Sequence, residues 1–491
     1  MGSFYQKINI FLNRYYWFLF VGMSVYAAFL CFYQLDAGYI VSWDESRHGI
    51  SAYEMLQTKN YIVNTVNYAP DYWNLKPPLS FYGIMLGFRI FGYSAVGLRF
   101  YSALSYFFIC MLCTLYMKKH YGKFSSLLCL AFFCCNQLMF KNHGARAGDA
   151  DALYQLFFTI AMLAMMDIPK KHSRSYLCGF CFSIAFLTKS YHALIILGIG
   201  GLYMLMTGEI RRFQKKEWFW FAFWTVLPCS IWAIARYLQD GLTFFLTMIS
   251  EDVLSRSKTA SEGHAGPWDY YINVYFLESE KIYGFLLLII IAAGIYGIGK
   301  RKKALKQYLG YLLWFFVPLF CFSVVKTKLI WYNFPIFIPL MMLAAISCGK
   351  FFECEKVKDT YKQFSLLILL GVLVFYGYHT VDSTVLSEKS DRFQIFLAES
   401  VERTDLCAGA NAFIQVPQEI GDGSIWNANV MLAAEMEGDF KCHPYGVFGY
   451  LNCENKKVLY ISREDYTNMK DILVGEILFE TEEYLMIGDN L

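Results

Sequence analysis

About eleven apolar runs of spanning or near-spanning length dominate this 491-residue chain, and they fix the environment in which it folds. By hydropathy they cover roughly 15–33, 94–117, 124–140, 152–166, 176–187, 193–206, 218–235, 282–298, 308–325, 334–348 and 364–378. Inside a bilayer no water completes a backbone hydrogen bond, so each run satisfies its own as a helix. The reading is therefore a polytopic α-helical membrane protein of about eleven transmembrane helices. Composition agrees: 57% of residues are hydrophobic and only 17% charged, against about 25% charged in soluble domains. The first run is long and lacks a small-residue cleavage site, so it reads as a span rather than a cleaved leader. A net charge of +3 gives no argument for nucleic acid as a partner.

Basic residues orient the bundle. Lys118, Lys119 and Lys123; Lys170, Lys171 and Arg174; Arg211, Arg212, Lys215 and Lys216; and the run 300–303 fall in alternate loops, joined by the connector 350–362. The positive-inside rule places these loops, and with them the N-terminus, in the cytoplasm of a bacterial cell. The loops 34–93, 141–151 and 239–281, the turn 326–332 and the tail 382–491 then face outward across the cytoplasmic membrane. The tail differs from the spanning domain 1–381. Short alternating strands at 457–461 and 476–480, turn residues at Gly421 and Gly423, and a helix at 428–437 predict a small extracytoplasmic α/β domain.

Of the 15 cysteines, most lie in apolar runs, where they act as small hydrophobes. Cys407, Cys442 and Cys453 sit in the polar tail, where any one pair could bridge in an oxidising compartment.

The chemistry concentrates in polar islands on the outer side. The longest, Trp43 to Pro78, opens with Trp43-Asp44-Glu45-Ser46-Arg47 and closes on Lys76-Pro77-Pro78. Charges so near a membrane boundary are costly to desolvate and favour a functional reading over a capped, solvated loop. Asp44 or Glu45 could serve as a general base, with the neighbour tuning it. The double proline aims Lys76, which reads equally as a phosphate ligand or a snorkelling anchor. In the island 145–151, Asp149 and Asp151 flank the start of a helix; residues two apart diverge, so one (Asp151) faces inward and the other caps. Lys189, at the outer end of its helix, reads first as a snorkelling anchor. Arg256 to Tyr271, with Gly266 and Pro267 as hinges around His264, could order over a ligand. Lys326, Lys328 and Tyr332 form a cradle for an anionic headgroup, or an interfacial belt. Together the cations suit a leaving phosphate while a carboxylate takes a proton.

With these motifs in order over some 330 residues, the chain resembles the C-type glycosyltransferases, specifically the bacterial branch related to lipid A aminoarabinose transferase and the protein O-mannosyltransferases. The matching stretches are Trp43 to Arg47, Lys76 to Pro78, Ala145 to Asp151, Leu187 to Lys189, Gly263 to Trp268 and Lys326 to Tyr332. The resemblance implies an inverting transferase that draws a sugar from a polyprenyl-phosphate donor on the outer face of the membrane. It implies Asp44 as catalytic base beside Glu45, Asp151 as the second acid beside Asp149, and Lys76, Arg256, Lys328 and Tyr332 on the donor phosphate. Lys189 and Lys326 stand near enough in the motifs to join them. Some members place an acid before the motif lysine, where it helps a loop histidine hold a metal. Here that position is Leu75, so His264 stands as a candidate ligand for a divalent metal without that acid beside it. The family proline after Lys-Leu is Ile330. The tail lies outside the match, and glycolipid, glycan and protein acceptors all stay open, with membrane lipids around the bundle. A transporter or flippase would place its charges at mid-membrane between broken helices or repeats, which the sequence does not show. A non-catalytic scaffold would leave the Asp44 and Lys76 islands incidental.

Overall fold

A computed structural model describes residues 4–41, 43–141, 143–255, 264–278, 281–297, 302–387, 390–404, 409–415 and 428–490. Over the described residues, each apolar run read from the sequence falls mostly in helix. In chain order the elements are α1 (Phe4–Phe32), α2 (Asp44–Thr58), α3 (Leu79–Phe91), α4 (Ala95–Cys134), α5 (Ala150–Asp167), α6 (Arg174–Lys189), α7 (Leu194–Thr207) and α8 (Lys215–Asp240). They continue with α9 (Lys281–Gly297), α10 (Lys302–Val324), α11 (Phe337–Glu353) and α12 (Asp359–Thr384). Among the described residues, seven helical stretches are long and apolar enough to cross a membrane; α3, α10 and the described apolar part of α9 are apolar but shorter.

Two breaks show how sequence sets these lengths. At 40 residues α4 would reach about 60 Å as one rod, twice a hydrocarbon core. It instead folds back at Gly122, whose φ of 87° suits a residue without Cβ. The two halves pack antiparallel: Ser126 Oγ donates to Thr114 O at 2.8 Å and Tyr106 OH to Phe133 O at 3.3 Å. The second break, at Ser190 (φ 47°), separates α6 from α7.

The loops sort to two ends. The described basic loops gather at one, where Lys123 donates to Asn13 Oδ1 and Tyr5 OH to Glu353 Oε1. The polar islands gather at the other. There Arg146 donates to the carbonyls of Leu30, Tyr33 and Gln34, closing the C-terminal end of α1. That is where the costly arginine of the sequence goes.

The tail forms the α/β unit the sequence predicts. A five-stranded mixed sheet runs in the order β4-β3-β5-β7-β6, with β3 Asn411–Gln415, β4 Lys441–His443, β5 Lys457–Ser462, β6 Glu476–Glu480 and β7 Tyr484–Asp489; β1 and β2 (Thr65–Val66, Ala69–Pro70) form a separate hairpin. β3 pairs in parallel with β4 and β5, and β7 runs antiparallel to β5 and β6. Helices α13 (Arg392–Arg403) and α14 (Ala428–Gly438) cover the sheet and share a core with α2 and α3. The approach is close: a Cβ at Gly49 would stand 2.2 Å from a Leu432 methyl. The joint is also polar, since Ile40 and Gln394 exchange two hydrogen bonds and Tyr53 OH donates to Asp439 at 2.7 Å. Gly421, Gly423 and Cys407 lie outside the described residues; Cys442 and Cys453 are free thiols.

Candidate active site

The site is built where α2 begins. Trp43, with φ 70° and ψ −119°, precedes the helix and its carbonyl accepts from Arg47 N at 2.9 Å and Ser46 Oγ at 3.0 Å. Asp44 follows with a side chain 37% exposed. Glu45 points the other way and is buried. Its Oε1 accepts from Arg99 Nε at 2.7 Å and Gly148 N at 3.0 Å; its Oε2 accepts from Arg99 Nη2 at 3.2 Å and Val41 N at 2.8 Å. Arg99 spends its remaining donors on the carbonyls of Leu35, Ala37, Gly38 and Tyr39. Adjacent carboxylates thus meet opposite surroundings, one facing solvent and one clamped between three segments.

His143 joins Asp44 to the other acids. It sits in a turn at φ 62°, and its ring lies on Trp331 with centroids 3.5 Å apart. Its Nδ1 hydrogen-bonds Asp149 and stands 3.7 Å from Asp44 Oδ2 and 4.0 Å from Asp151 Oδ2. Burial works against a charged imidazole, but the Asp149, Asp44 and Asp151 carboxylates outweigh it and raise its pKa. Burial would push Asp149 up; His143 above all, then His48 and Lys189, hold it below the usual carboxylate range. Asp149 is the N-cap of α5, as expected of one acid in this island, and its carboxylate accepts from Ala150 N. Yet both acids face the same cluster. The rule that residues two apart diverge holds inside a helix, and Asp149 is still extended, at φ −128° and ψ 158°.

Lys189 corrects the sequence reading more strongly. It does not snorkel; its ammonium is buried, paired with Asp151, and 5.6 Å from the centre of the buried Tyr332 ring. Lys76 is half-buried, close enough to His48 for its charge to act on that imidazole, whose Nδ1 lies 2.6 Å from Asp44 O. Lys328 is buried, and its ammonium donates to the carbonyls of Phe322, Ser323 and Val325 at the end of α10. Lys326 is exposed. His264 is exposed and meets the cradle through its backbone, its carbonyl accepting from Lys328 N at 2.8 Å. Arg256 lies outside the described residues.

Among the described residues, His264 does not belong to a group of candidate metal ligands. Asp44, His143 and Asp149 each offer one ligand atom, all within 4.8 Å of one another. Two carboxylates and an imidazole suit zinc or manganese, which would supply a fixed positive charge. Sequence reasoning missed His143, although it stands six residues before Asp149 in the outward loop 141–151, just ahead of the island already singled out. It also missed Arg99, which lies in an apolar run and carries no local signal.

A model of the dolichyl-phosphate-mannose-protein mannosyltransferase family matches residues 75–234. Among known proteins, an uncharacterised protein of Aquifex aeolicus is 27% identical over 70% of this chain and 66% of its own length. An undecaprenyl phosphate-alpha-4-amino-4-deoxy-L-arabinose arabinosyl transferase of Photorhabdus laumondii is 26% identical over 72% of this chain and 64% of its own. The chain therefore spans just under two thirds of these relatives' length. In structure it superposes on ArnT from Cupriavidus metallidurans bound to undecaprenyl phosphate, with TM-score 0.69, 13% identity, and 96% and 98% of the two chains covered. The chain has the fold of that ArnT. An Archaeoglobus fulgidus oligosaccharyltransferase shares it more distantly, with TM-score 0.53, 10% identity, and 94% and 71% covered. The likeness to these transferases thus runs through sequence and architecture, and the protein is a multi-pass membrane protein of this fold.

Proposed function

We propose that this protein is an inverting glycosyltransferase that moves a sugar from a polyprenyl-phosphate donor to an acceptor hydroxyl or phosphate at the outer face of the bacterial cytoplasmic membrane. The observation that carries the reading is the placement of Asp44: a solvent-facing carboxylate at the edge of a buried acid–base cluster, in a fold shared with a structure that binds undecaprenyl phosphate. The relatives named as arabinosyl transferases support the same reaction class.

Asp44 takes the proton of the acceptor, whose oxygen then attacks the anomeric carbon from the face opposite the departing phosphate. Glu45 does no proton transfer; clamped by Arg99, it fixes the start of α2 and so the direction of Asp44. Asp149 and Asp151 set the field at His143 and Lys189. Lys76, Lys189 and Tyr332, with Arg256 and Lys326 from their loops, meet the donor phosphate. Lys328, spent on three carbonyls, adds positive field from beneath. The basic end of the bundle is cytoplasmic and the C-terminal domain extracytoplasmic.

The test is single-turnover transfer and donor binding with purified Asp44→Asn protein in nanodiscs. General-base loss lowers transfer about 10²–10⁴-fold while donor binding persists. Near wild-type transfer would remove Asp44 from the role. Mass spectrometry of lipids, glycans and glycoproteins from cells with and without the gene identifies sugar and acceptor.

A further inference from the structure

Two indoles stand beside Asp44. Trp43 directly precedes it and is 39% exposed; Trp73, three residues before Lys76, is 47% exposed. Their ring centroids are 5.7 Å apart and their planes 27° from parallel. Each is held at some cost. The Arg47 guanidinium lies 3.8 Å over the Trp73 ring; Arg47 is itself buried and bonded at 3.1 Å to both oxygens of Asp71. Asp71 Oδ1 also accepts from Trp73 N at 2.8 Å and Asn74 N at 3.1 Å, so one carboxylate fixes both the ring's support and its backbone. Trp43 adopts a positive φ of 70°, a conformation that costs a side chain with a Cβ and persists where surrounding structure demands it. A tryptophan serving only as an interfacial anchor needs neither a buried ion pair beneath its neighbour nor a strained backbone.

The chemistry of the pair selects its ligand. An indole face is flat, apolar and negative at its centre. The C–H groups on one face of a pyranose are its positive, apolar complement, while the hydroxyls around the rim stay in water. A serine or threonine side chain on a peptide offers no such face. Because Trp43 adjoins the carboxylate that takes the acceptor's proton, a ring seated there belongs to the acceptor rather than to the donor. We propose that Trp43 and Trp73 form a stacking platform for a pyranose ring of the acceptor, which makes the acceptor a saccharide, as a free glycan or a glycolipid headgroup, and not a protein. Arg47 and Asp71 are positioning residues for that platform. This rests on the transferase reading above.

The test is saturation-transfer NMR on the full-length protein in nanodiscs, with chitobiose and a threonine-rich peptide as soluble probes and undecaprenyl phosphate binding measured on the same samples. The expected result is saturation of the C–H protons of chitobiose in wild type and about a tenfold weaker response in Trp43→Ala and in Trp73→Ala. Trp43→Phe keeps most of it, and all four proteins bind undecaprenyl phosphate alike. Displacement of chitobiose by a glucosyl diacylglycerol placed in the nanodisc points to a glycolipid; displacement by a longer chitin oligomer alone points to a free glycan. Absence of a chitobiose response in wild type, an undiminished response in Trp43→Ala, or a Trp43-dependent response of the peptide would overturn the platform. If saccharide binding holds while undecaprenyl phosphate does not bind, the platform stands and the donor assignment fails.

Discussion

The imidazole of His143 lies flat on the indole of Trp331, centroids 3.5 Å apart and planes 13° from parallel. This contact ties the loop before α5 to the turn before α11, two segments nearly 190 positions apart, and it aims Nδ1 at Asp149. Without Trp331 the ring has no floor.

His143→Ala removes one of three ligand atoms and leaves Asp44 and Asp149 facing each other with less positive charge between them. Zinc titrated into protein previously dialysed against chelator should bind at least about tenfold more weakly to His143→Ala than to wild type, as read by calorimetry, because a lost ligand costs upward of 1.4 kcal/mol. Trp331→Ala should weaken binding in the same direction and less. Equal affinities in all three proteins would place any bound ion away from this cluster.

The buried pair of Asp151 and Lys189 predicts a different pattern. Each charge is tolerable only because the other is there, so Lys189→Met or Asp151→Leu alone strands a buried charge, at about 3–5 kcal/mol. Removing both strands neither of the two charges and recovers most of that stability. Melting temperatures in detergent should therefore fall for each single variant and return in the double one. Transfer should stay low in the double variant, since the cation beside Tyr332 is still missing. A double variant less stable than either single one would contradict the pairing.

Much of this was legible in the sequence, and the reason differs between elements. The helices follow from apolar runs, because a bilayer admits few other structures. The polar islands are visible in chain order and the fold gathers them at one end of the bundle, and the strands read at 457–461 and 476–480 form as Lys457–Ser462 and Glu476–Glu480. Pairings were not legible. Lys189 looks like an anchor by position alone, because its partner Asp151 sits on another helix and only the fold brings the two together. Arg99 in an apolar run reads as a blemish until Glu45 is seen against it, 54 positions away. The inward direction of both Asp149 and Asp151 depends on where α5 starts, and a shift of one residue at a helix boundary decides it.

The clamp between Arg99 and Glu45 separates stability from chemistry at neighbouring positions. Glu45→Gln loses the charge that answers Arg99, so thermal stability should fall by about 1.5–3 kcal/mol. Asp44→Asn, at a solvent-facing position, should leave stability nearly unchanged. Turnover should reverse the order, with Asp44→Asn far the more damaging. The comparison needs melting curves and single-turnover rates for both variants; the opposite ranking in turnover would exchange the roles of the two acids.

The last prediction concerns the joint between α2 and the C-terminal domain, where Glu54 and Glu435 are both fully buried. Glu54 Oε2 accepts from Tyr68 N at 3.0 Å, but Glu54 Oε1 and both Glu435 oxygens find no hydrogen-bond partner among the described residues. Burial above all, with a small push from Asp71, raises Glu54 from an ordinary 4.5 to about 7, despite the Tyr68 N–H it accepts and the polar groups of Thr65 and Asn67 nearby. Burial and then Glu54 itself push Glu435 well above its ordinary range. Among the described residues, the other titratable groups acting on the pair or on its neighbours include Asp71, Tyr53, Tyr68, Cys442 and Asp439, which supply no positive charge. Both folded pKa values are raised, so the neutral forms are the ones the fold prefers. Their contribution to stability is complete below about pH 4.5, declines as the unfolded chain ionises above it, and for Glu54 is lost once pH passes about 7. For that residue the loss is about 3 kcal/mol, at about 1.4 kcal/mol per pH unit. The apparent melting temperature in detergent should therefore fall between pH 5 and pH 7.5, and limited proteolysis should release the C-terminal domain more readily at the upper end. Glu435→Gln removes one ionisation and part of the repulsion on Glu54, so it should raise the melting temperature at pH 7.5 and flatten the slope. A wild-type melting temperature that holds level or rises over that interval would mean that the fold does not hold these two carboxyls neutral.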